Sequence, residues 1–225
     1  MRKSYAFGLA LMAIFSMGAI ISSAASAEVA LWLHNGADIT TGTLATQSTG
    51  LLELTDLGAT GGAVTVNCDG ILDGWVGPEG LDEISEVLTL GGVKNTENLI
   101  ECEVVTGKEG ACQTSMLANV IPKGLPWLSQ LELMATGAEE YLDVVTSAAP
   151  KFGYKVICLT ILGETPDECL QETATQTLKN VTGGVEGVSK EEETGTCTIG
   201  GKKGDISGSG LTTLNNGETL TVSMP

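Results

Sequence analysis

The chain has 225 residues, with 28 Asp and Glu against 11 Lys and Arg, for a formal charge of −17. Such a surface repels phosphate backbones and anionic headgroups, which argues against nucleic-acid binding and peripheral membrane attachment. Hydrophobic residues make up 42% of the chain, enough Val, Leu and Ile to build a core, so a disordered chain is not expected either.

Residues 1–27 carry the three parts of a secretory signal. Arg2 and Lys3 give the positive start, 6–21 is an apolar run, and Ala25 and Ala27 sit at the A-x-A positions for cleavage before Glu28. The run is short for the ~20 residues of a membrane span, and the terminal ETLTVSMP has no apolar tail. The expected organisation is a signal peptide over 1–27 and a single secreted β-rich domain over 28–225. No stable membrane anchor is expected after cleavage. In that oxidising, extracytoplasmic compartment the cysteines are disulfide candidates first.

Beyond the signal the hydrophobic period is two. Val64, Val66 and Cys68 alternate with Thr65 and Asn67, and Ile100, Cys102 and Val104 alternate with Glu101 and Glu103. Leu220, Val222 and Met224 repeat the pattern near the C-terminus. Each is the signature of a half-buried strand. The stretch 156–162 is apolar on both faces, as in a central strand. Residues 126–149 read as two strands joined near Gly137 or as a helix broken there. Leu142 and Val144, alternating with acidic neighbours, favour strands. Residues 165–181 pose the same choice. Thr165-Pro166-Asp167-Glu168 has the order of a helix start, while alternating Thr173, Thr175 and Thr177 lean toward a strand.

Residues that tolerate positive φ punctuate these runs at Gly61-Gly62, Asp69-Gly70, Asp73-Gly74, Gly91-Gly92, Gly183-Gly184, Gly200-Gly201 and Asn216-Gly217. Gly208-Ser209-Gly210 reads as a tight turn as well, and 190–194 as an acidic loop. Short strands between frequent turns predict an all-β fold, an antiparallel sandwich or barrel-like domain stapled by disulfides.

Six cysteines allow 15 pairings, and the sequence does not choose among them. Their spacing suggests one scheme. Cys102 with Cys112 and Cys158 with Cys169 would each close a short loop, leaving Cys68 and Cys197 to join distant strands. Cys68 and Cys102 both fall on inward faces. No CxxC or HxxxH spacing exists, so cysteine-bound zinc is not expected.

The constellations for catalysis are sparse. His34, the one histidine, lies beside the turn signal Asn35-Gly36 and reads as a surface residue rather than a catalytic base. There is no GxSxG, P-loop or HExxH sequence. Acidic neighbours such as Asp82-Glu83, Glu139-Glu140 and Glu191-Glu192-Glu193 supply the pairs a carboxylate hydrolase needs, but in an acidic chain they read as solvated faces. Asp69 and Asp73 in CDGILDG form a weak calcium candidate without EF-hand spacing. No cofactor is expected. Trp32, Trp75 and Trp127 are candidate contacts for a protein or glycan partner, against the plainer reading that they plug the core.

WLHNGADI at 32–39, GWVGPEGLDEI at 74–84, LPW at 125–127, GYKVIC at 153–158 and GETLTVS at 217–223 resemble a group of small secreted, cysteine-containing proteins of actinobacteria. The resemblance covers most of the chain after the signal and implies a secreted, disulfide-bearing, β-rich domain. It brings no activity, cofactor or catalytic residue. The expected function is a secreted or cell-envelope structural or recognition module without catalysis. A small extracellular hydrolase using carboxylates is the alternative. Carboxyls converging in a cleft with raised pKa values would favour the hydrolase.

Overall fold

The computed structural model describes residues 29–56, 63–89, 100–107, 112–133, 140–160, 163–189, 195–197 and 203–224. The signal segment, Gly61-Gly62, Gly91-Gly92, Gly200-Gly201, Glu139 and the acidic stretch 190–194 lie outside them. The fold is an antiparallel β-barrel. Its strands are β1 Leu31–His34, β2 Ala37–Asp38, β3 Leu44–Asp56, β4 Val64–Val76, β5 Leu81–Thr89 and β6 Ile100–Thr106. They continue as β7 Leu117–Lys123, β8 Trp127–Leu133, β9 Tyr141–Ser147, β10 Phe152–Thr160 and β11 Gly163–Gln171. The last five are β12 Ala174–Val181, β13 Gly184–Ser189, β14 Gly195–Cys197, β15 Lys203–Leu214 and β16 Leu220–Ser223. A 3-10 turn at Pro78–Gly80 links β4 to β5.

One ladder of 13 strands closes on itself twice. Its order is β13-β12-β9-β8-β5-β4-β3-β15-β14-β11-β10-β7-β6, with further pairings β13–β15 and β4–β6. The first closure makes an eight-stranded ring of β3, β4, β5, β8, β9, β12, β13 and β15. The second makes another of β3, β4, β6, β7, β10, β11, β14 and β15. The long strands β4, β3 and β15 are common to both. Along β4, residues 65–67 pair with β6 and residues 70–76 with β5. Along β15, residues 203–204 pair with β14 and residues 208–212 with β13. Between the shared strands the chain alternates: β5 serves the first ring, β6 and β7 the second, β8 and β9 the first, β10 and β11 the second. A three-stranded sheet, β16-β1-β2, covers the first ring.

Alternation decides which side chains go inside. Ile100, Cys102 and Val104 are buried while Glu101 and Glu103 are exposed, as the sequence pattern predicts. Val64, Val66 and Cys68 are buried too, and so are Leu220 and Val222, but Met224 lies past the end of β16 and is exposed. Two apolar clusters result. One surrounds Ile100, Val104, Val120, Trp127 and Tyr154, and the other packs Trp32, Leu131, Leu178, Val185 and Leu220 beneath the covering sheet. Both ambiguous segments are strands: β8 and β9 in one, β11 and β12 in the other. In β9, however, the face is the reverse of the expected one. Asp143 and Val145 are buried, while Leu142 and Val144 are only half-buried.

Several turn assignments are overturned. Asp69-Gly70 and Asp73-Gly74 lie inside β4, and Gly208-Ser209-Gly210 lies inside β15. The ladder register shows their role. Gly187 of β13 pairs with Gly210 of β15, Gly210 with Gly50 of β3, and Gly50 with Gly70 of β4. Four adjacent strands thus carry glycine in one row, at the level where the two rings part. A Cβ on Gly50 would lie 2.0 Å from the Ser209 carbonyl oxygen and 2.6 Å from the Gly210 Cα. Only glycine lets β3 and β15 approach so closely. Gly183-Gly184 and Asn216-Gly217 do form turns, with Gly183 and Gly217 at φ of 98° and 77°.

The disulfides differ from the short-loop scheme. Cys68 bonds to Cys102 across β4 and β6, with Cα atoms 4.5 Å apart, and Cys112 bonds to Cys158 with Cα atoms 5.2 Å apart. Cys169 is also a disulfide cysteine, and Cys197 stands opposite it in the backbone register of β11 and β14. The hairpin of β10 and β11 explains why Cys158 and Cys169 do not meet. Cys158 faces Thr165 and Cys169 faces Tyr154. Four rungs separate them, about 13 Å, against a limit of about 7 Å for a bridge.

Candidate functional site

Asp82 on β5 and Asp143 on β9 are held two strands apart with β8 between them. β8 supplies Ser129, whose Oγ donates to Asp82 Oδ1. The same hydroxyl lies near Asp143 and lowers its pKa in the alternative in which it turns its single hydrogen to that carboxyl. On the far side β12 supplies Gln176, whose Nε2 donates to Asp143 Oδ2 at 2.6 Å. Asp143 Oδ1 has no partner in hydrogen-bond geometry, and Asp143 is 1% exposed. Asp82 as a residue is only half-buried, although its carboxyl is turned inward to Ser129.

Burial dominates the electrostatics. Loss of hydration pushes the Asp143 carboxyl up to about 6, against smaller lowering by Gln176 and Ser129. Burial pushes Asp82 well above the usual carboxylate range, and the neighbouring Asp143 charge pushes it further. The Trp32 indole N–H partly offsets this, although Trp32 Nε1 lacks an acceptor in hydrogen-bond geometry. The space beside Asp82, bounded also by Trp32, Thr46 and Gln176, has a volume of about 30 Å³.

Raised carboxyls make stability depend on pH with a definite sign. The folded state holds the Asp143 proton up to about 6, while an unfolded chain releases it near 3.8. The cost of ionising the buried group is absent below the unfolded value and grows as the pH rises through 6. Asp143→Asn is therefore expected to be more stable than the native chain at pH 7, by on the order of 1–3 kcal/mol. That advantage should fade toward pH 4. Urea midpoints measured from pH 4 to 8 check it; a difference that does not change with pH would mean Asp143 titrates as if in water.

Next to the pair, and sharing Gln176, Ser48 and Thr212 with the space beside it, lies a cavity of about 110 Å³ where the rings part. The glycine row forms part of its wall, together with Leu52, Leu72, Ile100 and Tyr154. Ser48 Oγ and Thr212 Oγ1 share a hydrogen bond of 2.6 Å in the same wall. A Cβ on Gly187 would come within 2.8 Å of Gln176 Oε1, which places that oxygen over the row.

The tryptophans separate into two kinds. Trp127 is 5% exposed, packs on Phe152 and Tyr154 with ring centroids at 5.6 and 5.2 Å, and donates from Nε1 to the Lys123 carbonyl at 2.9 Å. Trp32 is 3% exposed in the core beneath the covering sheet. Both are core plugs, so neither presents a ring to a large partner. Trp75 lies within β4, half-buried, its ring close to Gly77.

The calcium candidate is not a loop. Asp69 is exposed and Asp73 half-buried on one strand, four residues apart. That spacing separates their Cα atoms by about 13 Å, too far to share an ion. Asp73 Oδ1 instead accepts from Gln47 Nε2 at 3.1 Å. Among the described residues, no group of three or more His, Cys, Asp or Glu gathers to hold a metal. His34 sits half-exposed at the end of β1, with Nε2 2.7 Å from Glu218 Oε2. That hydrogen bond holds the Glu218 carboxyl below its usual value.

The sequence places Asp82 beside Glu83, but the residue it joins is Asp143, in another part of the chain. Comparison with protein-family models, with curated proteins and with solved structures finds no match to this chain.

Proposed function

We propose that the protein works outside the cytoplasm as a non-catalytic structural or recognition module. The disulfides support an oxidising compartment. Among the described residues no helix is long and apolar enough to cross a membrane. The N-terminal segment is the expected export signal.

The observation that carries the reading is the enclosure of the carboxyl pair. Asp82 and Asp143 converge with raised pKa values, which is half of what a carboxylate hydrolase requires. The other half is room for a substrate. The space against Asp82 is about 30 Å³, room for one water, and the neighbouring cavity of about 110 Å³ has neither carboxyl in its wall. The pair is then a polar tie between β5, β8, β9 and β12, and Ser129 and Gln176 offset only part of its cost in hydration.

A small extracellular hydrolase remains the second reading, favoured by those same raised carboxyls. A panel of glycosides, esters and peptides, incubated with the exported protein from pH 4 to 8, separates the two. No release above the buffer rate is expected. Turnover that Asp82→Asn or Asp143→Asn abolishes would make the protein an enzyme.

A further inference from the structure

We infer that the cavity at the parting of the two rings is a binding site for one small, uncharged, mainly apolar molecule that carries a single hydrogen-bond donor, a hydroxyl or an N–H. The inference deepens the recognition-module reading and rests on it.

The size sets the first limit. About 110 Å³ is comparable to cavities that hold a single benzene ring. The wall sets the second. Leu52, Leu72, Ile84 and Ile100 with the ring of Tyr154 give an apolar lining for a ring or a short branched alkyl group. The Asp143 carboxyl beyond Gln176, together with the net charge of −17, disfavours an anion.

The hydrogen-bonding groups set the third limit. Gln176 commits its Nε2 to Asp143 Oδ2, which fixes the amide and leaves Oε1 over Gly187 in the cavity wall. A carbonyl oxygen held that way accepts and cannot donate. It selects a hydroxyl or N–H donor on the ligand over a ligand with acceptors alone.

The space itself comes from the glycine row. Gly70 and Gly210 differ from Gly50, because a Cβ there would meet nothing closer than the Leu88 carbonyl at 3.4 Å and the Thr49 carbonyl at 3.5 Å. Alanine fits at both positions in ordinary van der Waals contact. Backbone proximity requires glycine at Gly50, whereas at Gly70 and Gly210 glycine leaves volume open.

Phenol, toluene and benzoate are the probes, titrated into the full exported protein and followed by amide chemical shifts of the four glycines. Phenol is expected to saturate with a Kd of about 0.1–1 mM, as a seven-atom ligand can. Toluene, lacking the hydroxyl, should bind about tenfold more weakly, and benzoate not at all. The double variant Gly70→Ala and Gly210→Ala should keep its melting temperature and lose at least tenfold in phenol affinity. Absence of saturable shifts with phenol and toluene in the folded native chain overturns the site, as does phenol binding untouched by the double variant. Toluene binding as tightly as phenol overturns the role of Gln176. Turnover in the hydrolysis panel would instead sink the module reading, and the cavity titration would stand apart from it.

Discussion

Gly50→Ala is expected to lose about 3–5 kcal/mol of folding stability, the range of the most damaging single substitutions. The added methyl would lie 2.0 Å from the Ser209 carbonyl oxygen, and that atom belongs to the backbone of β15. No rotamer relieves the contact; only separation of β3 from β15 does, and those two strands are paired over eleven rungs from Asp56–Gly204 to Thr46–Leu214. Gly210→Ala, on the strand directly opposite, is the control. Its methyl meets nothing nearer than 3.5 Å, so stability should change by no more than about 1 kcal/mol, with a gain from the stiffer unfolded chain. Urea unfolding of both variants measures the contrast. Equal midpoints would mean the two strands are not so closely apposed at this row.

Removing the bridge between Cys68 and Cys102, by serine at both positions, is the second large effect. The bridge closes a loop with a sequence separation of 34, for which the chain-entropy model gives about 4 kcal/mol. It also ties β4 to β6, the pairing that completes the second ring. Both cysteines are buried, at 1% and 2% exposure, so serine brings an added penalty for a buried hydroxyl. Guanidinium unfolding of the variant against the oxidised native chain should show a loss of about 2–5 kcal/mol. Non-reducing peptide mapping should recover Cys68 with Cys102 and Cys112 with Cys158. Recovery of Cys102 with Cys112 would contradict the ladder register.

What the sequence reveals here is local. The alternation in 100–104 and in 64–68 shows a strand and its buried face directly, because a strand puts successive side chains on opposite sides. The same rule makes acidic neighbours uninformative. Asp82 and Glu83 lie next to each other along β5 and so point to opposite faces. The partner of Asp82 comes from β9, and only the order β5-β8-β9 brings it close.

Register is the missing information. Asp69-Gly70 and Gly208-Ser209-Gly210 have the composition of turns, and nothing nearby in the chain distinguishes a turn glycine from a glycine aligned with three others. The disulfides show the same limit. Cys68 and Cys102 are marked by their inward faces, yet closeness in sequence points Cys102 to Cys112. In a fold of long ladders the partner across the strand outweighs the neighbour along it. Asp143 left one legible trace: Tyr141, Asp143 and Val145 form the alternative face of β9, equal in period to Leu142 and Val144. Hydrophobicity alone favoured the wrong one.

The alternation of the hairpins between the two rings bears on how this protein can be divided. Because β3, β4 and β15 serve as a common wall, and successive hairpins cross from one side of it to the other, no single cut of the polypeptide releases an intact half. A fragment ending after any hairpin leaves both rings open at a seam. Shuffling by whole-module exchange is therefore closed to this architecture, and change must come through loops and lining side chains while the woven framework is inherited entire.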